Sequence, residues 1–73
     1  MNYIIRLDCI NEKNPYKLSF GQQVWVSEVF GLENKYTQDK SRAYKFISIQ
    51  RVQSIVQKIT KNHIFKPIIM KTY

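Results

Sequence analysis

Beyond Asp39 the chain contains no acidic residue, and in its whole length it has one cysteine, one histidine and two glycines. Each scarcity excludes something. A single cysteine, Cys9, permits no internal disulfide, and Cys9 with His63 is too small a set for a Cys/His zinc site. Glycines at 21 and 31 stand too far apart for a phosphate-cradling loop. A general base needs an orienting carboxylate, and no acid follows His63 or precedes it more closely than Asp39. No apolar run reaches the ~18–20 residues that span a bilayer. The first residues also lack the basic-then-apolar layout of a targeting segment. These absences lead to the expectation of a soluble, cytoplasmic protein with no membrane partner, no metal or other cofactor and no enzymatic activity. At 73 residues the chain is expected to form one domain, residues 1–73, with a small core.

What is present is positive charge, unevenly placed. Residues 1–39 carry four Lys and Arg against five Asp and Glu, whereas residues 40–73 carry eight cations and no acid. That asymmetry predicts one electropositive side and an anionic partner.

Residues 2–10 alternate with the period of a strand. Tyr3, Ile5, Leu7 and Cys9 fall on one face, and Ile4, Arg6, Asp8 and Ile10 on the other. Asn11 to Pro15 reads as a hairpin loop, Tyr16 to Phe20 as a second strand, Gly21 to Gln23 as a turn and Val24 to Phe30 as a third strand. Together they predict an antiparallel meander. Gly31 to Lys40 shows no period. Asp39 to Ala43 suits one helical turn or a bend, and Tyr44 to Ile47 a brief pairing with the sheet. Ser48 is a suitable N-cap for a helix running to Asn62. Its apolar stripe is Ile49, Val52, Ile55, Val56 and Ile59. Asn62 tolerates the left-handed conformation that ends many helices. Ile68 to Tyr73 reads as a final strand, with Pro67 at its start fitting an edge position. The order β-β-β-α-β predicts an α+β fold, an antiparallel sheet of four to five strands packed against one amphipathic helix. Its core is expected to include Ile5, Leu7, Val52, Ile55, Val56 and Ile59.

Candidate binding residues come from the acid-free half. Arg51, Ser54, Lys58 and Lys61 share one helix face, and cations about a turn apart can track phosphate oxygens. Solvated helix faces are often basic in part, but they usually mix signs; this one has no acid. Lys40, Arg42 and Lys45 form a second group, in which Arg42 is the better bidentate ligand for phosphate or carboxylate. Trp25, Tyr36 and Tyr44 are candidates for stacking on bases or anchoring a protein contact. If Val24 and Val26 face the core, Trp25 lies on the other sheet face with Ile4, Arg6 and Lys17. Cys9 reads as a small buried hydrophobe, and Asp8 and Glu28 as surface carboxylates that meet only if their strands pair in that register.

The stretch Tyr36-Thr37-Gln38-Asp39-Lys40-Ser41-Arg42-Ala43-Tyr44-Lys45-Phe46-Ile47-Ser48, running into Val52, Ile55 and Ile59, resembles a pattern of small phage and mobile-element proteins, T-x-D-x-S-x-A-x-x-F-x-S. Where that pattern has a glycine turn before the last strand, this chain has Asn62-His63. Some small anti-CRISPR proteins share the layout of a β-sheet with one helix. The resemblance implies a non-enzymatic phage-type inhibitor that binds a bacterial defence protein or ribonucleoprotein, in the host cytoplasm if phage-encoded. A basic surface of Lys40, Arg42, Lys45, Arg51, Lys58 and Lys61, with Trp25 and Tyr44, is the expected contact. Two other readings stand beside it: a small nucleic-acid-binding or regulatory module that puts the same cations on phosphates, and a structural protein that dimerises through its sheet. A monomer or a small homodimer fits all three.

Overall fold

The computed structural model describes residues 2–30 and 33–72. Strands β1 (Asn2–Cys9), β2 (Gln23–Phe30) and β3 (Glu33–Thr37) are followed by a 3-10 turn (Lys40–Arg42), helix α1 (Ile49–Thr60) and strand β4 (Phe65–Thr72). Among the described residues the four strands make one antiparallel sheet in the order β3-β2-β1-β4. This is the expected α+β fold.

The alternation in β1 assigns the two sheet faces. Ile5, Leu7 and Cys9 are buried with Val24 and Val26 of β2 and with Val52, Ile55 and Ile59 of the helix. Phe46 and Phe65 join the same core. The residues between them in sequence face the other way. Arg6 sits opposite Trp25 on one side and Ile68 on the other, and Asp8 sits opposite Gln23 and Lys66. Among the described residues no helix covers this second face. Val56, expected in the core, is only half-buried against its edge. The stripe is centred on Val52, Ile55 and Ile59, and Val56 lies at its margin.

Two strand expectations need correction. Tyr16 to Phe20 alternates but is a loop. Asn14 is the cause. Its side-chain amide donates to the carbonyls of Asn11 (2.8 Å) and Leu18 (3.0 Å), and its oxygen accepts from the amides of Tyr16 (3.0 Å) and Leu18 (3.1 Å). One side chain thus satisfies backbone groups that a sheet ladder would otherwise take. Lys17 at φ 58° then turns the chain out of the extended region, so Lys17 does not lie on the sheet. Gly21, at φ 83°, supplies the left-handed position that returns the chain to β2. Conversely, Glu33–Thr37, within the segment without a period, is strand β3. Its pairing with β2 (Trp25 with Thr37, Val26 with Tyr36) shifts register between Val26 and Glu28. Glu28 stands opposite Lys35, and Asp8 opposite Gln23, so Asp8 and Glu28 do not meet.

Beyond the Arg6–Trp25 pair, β1 and β2 have no further register partners. The chain after the 3-10 turn enters this fork. Tyr3 and Phe46 exchange two backbone hydrogen bonds, each 2.7 Å, and the Tyr44 amide donates to the Val26 carbonyl at 2.8 Å. The brief pairing expected for Tyr44 to Ile47 is this plug. Ser48 caps α1, its hydroxyl accepting from the Arg51 amide at 3.3 Å. The helix ends in a tighter turn, with Asn62 and His63 amides donating to Ile59 and Thr60 carbonyls three residues back. That moves the left-handed residue from Asn62 to His63, at φ 55°. β4 begins at Phe65, earlier than expected, and as an edge strand it tolerates Pro67 opposite Leu7.

Val52 is fully buried at the centre of the stripe. Val52→Asp is therefore expected to cost about 4 kcal/mol or more and to abolish the cooperative thermal melt followed by circular dichroism. Val56→Asp, at the margin, is expected to lower the melting temperature but keep the transition. Equal effects would mean that the helix is rotated from the orientation described.

Candidate polyanion-binding surface

The candidate cations lie on two separate surfaces. Lys40, Arg42 and Lys45 belong to the 3-10 turn and the segment entering the fork, on the uncovered side of the sheet. Lys40, Ser41 and Lys45 line a groove of about 530 Å³ whose other walls are Ile4, Ala43 and Thr72. Arg42 lines a second groove of about 420 Å³ with Ser27, Lys35 and Thr37. The turn is thus a cationic ridge between two shallow grooves edged by hydroxyls. Arg51, Lys58 and Lys61 are exposed on α1, which packs on the opposite sheet face. The eight cations of the acid-free half therefore do not form one patch.

The ridge owes its shape to Asp39. Its carboxylate caps the 3-10 turn, with Oδ1 accepting from the Ser41 amide (2.9 Å) and the Ser41 hydroxyl (2.7 Å). These two bonds to Ser41, side chain first, hold the Asp39 carboxyl below the usual carboxylate range, and the Arg42 charge adds to them. Arg42 Nε is 3.8 Å from Asp39 Oδ2, too long for a good hydrogen bond, and the Arg42 side chain is 80% exposed. Such an exposed pair holds its partners weakly, so the guanidinium remains available to a ligand.

Arg6 differs. On the same sheet face its Nε and Nη2 reach both Asp8 oxygens, at 3.1 and 3.3 Å, and that fork geometry neutralises it. Trp25 also lies on this face, as the register of Val24 and Val26 requires, but it is half-buried. Its indole nitrogen is shielded and has no hydrogen-bond partner among the described residues. Tyr44 is exposed, with its ring packed on Phe46 at 4.6 Å between centroids. Tyr36 belongs to another aromatic group, with Tyr16 and Phe65.

Sequence reasoning missed Thr72, Ser27, Thr37 and Lys35 as groove residues. No local signal marks them; strand register and the fork bring them beside the turn. Cys9 is buried as expected and donates toward the Asn11 carbonyl at 3.3 Å. His63 is exposed at the helix end. Among the described residues no three His, Cys, Asp or Glu side chains cluster as a metal site would require, and no helix is long and apolar enough to cross a membrane. Comparison with known proteins finds no matching family model, no similar curated protein and no similar solved structure.

Because its folded pKa is depressed, Asp39 stabilises the turn above the ordinary carboxylate range, and that contribution is lost as pH falls through the lowered value. The Asp39 carboxyl is expected to titrate below an unperturbed aspartate, with the Ser41 amide resonance following the same midpoint. An NMR titration with an ordinary midpoint would show that Ser41 does not hold the carboxylate.

Proposed function

We propose that this protein is a non-enzymatic binding module that places the Lys40–Arg42–Lys45 ridge on the phosphates of a nucleic acid, either free or carried in a ribonucleoprotein. The observation that carries this reading is three exposed cations, Lys40 and Arg42 on a capped turn and Lys45 just after it, flanked by two grooves edged with Ser41, Thr72, Ser27 and Thr37. Phosphate recognition draws on this combination of cations and hydroxyl donors. The grooves can seat a chain of phosphates on either side of the ridge, whereas the helix cations stand along a convex surface.

The narrower form of the proposal is a phage-type inhibitor of a bacterial defence ribonucleoprotein. Its support is the resemblance of the Tyr36–Ser48 segment to a pattern of small phage and mobile-element proteins, the layout of a sheet with one helix that some small anti-CRISPR proteins share, and the surplus of positive charge, which suits a ribonucleoprotein target and argues against a mimic of DNA. Dimerisation through the open sheet face is the less favoured reading. A two-fold contact there would gather Lys40, Arg42, Lys45 and Lys66 of both copies into one interface.

Fluorescence anisotropy with labelled single-stranded RNA and duplex DNA across a salt series tests the proposal. The wild-type protein is expected to lose affinity with a slope of about −0.7 per phosphate contact for a single strand, or −0.9 for a duplex. Lys40→Glu with Arg42→Glu is expected to weaken binding by about 30-fold or more, since reversal adds repulsion to lost attraction. Lys13→Glu and Lys17→Glu, outside the ridge, are expected to change it by less than about threefold. If Lys58→Glu and Lys61→Glu abolish binding while the ridge variant is silent, the helix row is the working surface. A pull-down from bacterial lysate that survives nuclease would favour a protein contact over phosphates.

A further inference from the structure

We infer that an aromatic groove beside strand β3 takes a base of a single-stranded nucleic acid whose phosphate lies in the adjoining Arg42 groove. This deepens the phosphate-binding proposal and rests on it. The groove has a volume of about 410 Å³, and Tyr16, Leu18, Val24 and Tyr36 supply its apolar lining. Three rings from distant parts of the chain meet there. The Tyr16 and Tyr36 centroids are 5.2 Å apart with their planes at 84°, and both rings lie against Phe65, at 5.8 and 5.3 Å.

Tyr16 is the accessible member of this group. It is 45% exposed, whereas Leu18, Val24 and Phe65 are buried. Its backbone is pinned as well, the Tyr16 amide donating to the Asn14 side-chain oxygen at 3.0 Å. A ring already fixed by its own amide and by two neighbouring rings loses little freedom when a ligand stacks on it. Every base has a π-face, so such a platform holds bases of any sequence. Gln38 also lines the groove and is exposed. Its amide carries both donors and an acceptor, the two kinds of group that the edge of a base presents.

Continuity with the cationic groove selects the occupant. Lys35, Tyr36 and Thr37 line the aromatic groove and also line the groove that holds Arg42. The two cavities are therefore adjacent, with one stretch of β3 as their common wall. A nucleotide carries a phosphate and a flat ring joined through one sugar, so a strand with its phosphate beside Arg42 can turn its base onto Tyr16. A duplex keeps its bases paired and stacked inside, whereas a single strand can splay them out. An apolar peptide would fill the aromatic groove but give the guanidinium no anion. A second copy of this chain would bring a further +7 of charge.

Fluorescence anisotropy with three labelled probes of one length tests this: a single-stranded DNA, the same strand made abasic at every position, and the duplex. The wild-type protein is expected to bind the single strand about tenfold more tightly than the abasic strand. Tyr16→Ala is expected to remove that difference without changing the salt slope, and to leave abasic and duplex affinities unchanged; Tyr16→Phe, which keeps a ring, is expected to retain it. Equal wild-type affinity for the single strand and the abasic strand overturns the inference and leaves the phosphate proposal standing. That comparison uses the unaltered protein, so it decides the matter even where Tyr16→Ala fails to fold. Equal loss on all three probes in a folded Tyr16→Ala also overturns the inference, because the ring would then not act through a base. So does a concentration-dependent dimer in sedimentation that Tyr16→Ala abolishes, which would put a second copy in the groove. Binding to none of the three probes overturns the phosphate proposal and this inference with it.

Discussion

The two backbone hydrogen bonds between Tyr3 and Phe46, set in the fork where β1 and β2 part, decide how the rest of the chain is distributed. On one side of that pair lies the 3-10 turn, against the uncovered sheet face. On the other lies α1, whose stripe closes the core. Phe46 itself is buried beneath the helix, so the same residue that plugs the fork also anchors the helix start. The pairing satisfies amide and carbonyl groups at the open end of β1 that would otherwise be left without partners. It therefore combines a polar requirement and an apolar one at a single point.

A domain with one helix can cover only one face of its sheet. The covered face carries Ile5, Leu7 and Cys9; the other carries Arg6 bonded to Asp8, half-buried Trp25, Ile68 and Met70, and the cations of the turn. Polar satisfaction makes that second face tolerable in water: Asp8 is matched by Arg6, and Asp39 by Ser41 and weakly by Arg42. Lys40 and Lys45 line one of the two grooves and Arg42 the other. The functional proposal follows from this division, in which acids are engaged locally while Lys40 and Lys45 project over concave, hydroxyl-edged ground. The cationic ridge then lies near the fork, beside both grooves.

Much of this was legible in the sequence because it is local. The helix follows from Ser48 and the spacing of Val52, Ile55 and Ile59; β1 follows from strict alternation; the turn follows from Asp39 ahead of Ser41. The strand β3 was not legible, because Glu33-Asn34-Lys35 is polar and becomes extended only by pairing with β2. Tyr16 to Phe20 misled for the opposite reason. Its alternation is real, but Asn14 takes the backbone groups of Leu18 that a ladder would need. For the candidate site, the acid-free half was visible in the residues, yet its division was not. Arg42 and Lys58 lie on opposite sides of the molecule only because the chain changes sides at the fork, and that is a tertiary fact. Alternation put Trp25 on the uncovered face only on condition that Val24 and Val26 face the core, which they do; its partial burial depends on neighbours that alternation does not identify.

The account stands or falls on whether the ridge beside the fork, rather than the helix, meets the anionic partner. Mapping chemical-shift changes of the assigned protein during titration with a short single-stranded oligonucleotide tests this most directly. The account predicts that the largest changes fall on Lys40 to Lys45, Thr72 and Ser27, with the Tyr3 and Phe46 amides remaining protected from exchange throughout. Changes concentrated along Arg51, Lys58 and Lys61 with a silent 3-10 turn would contradict it.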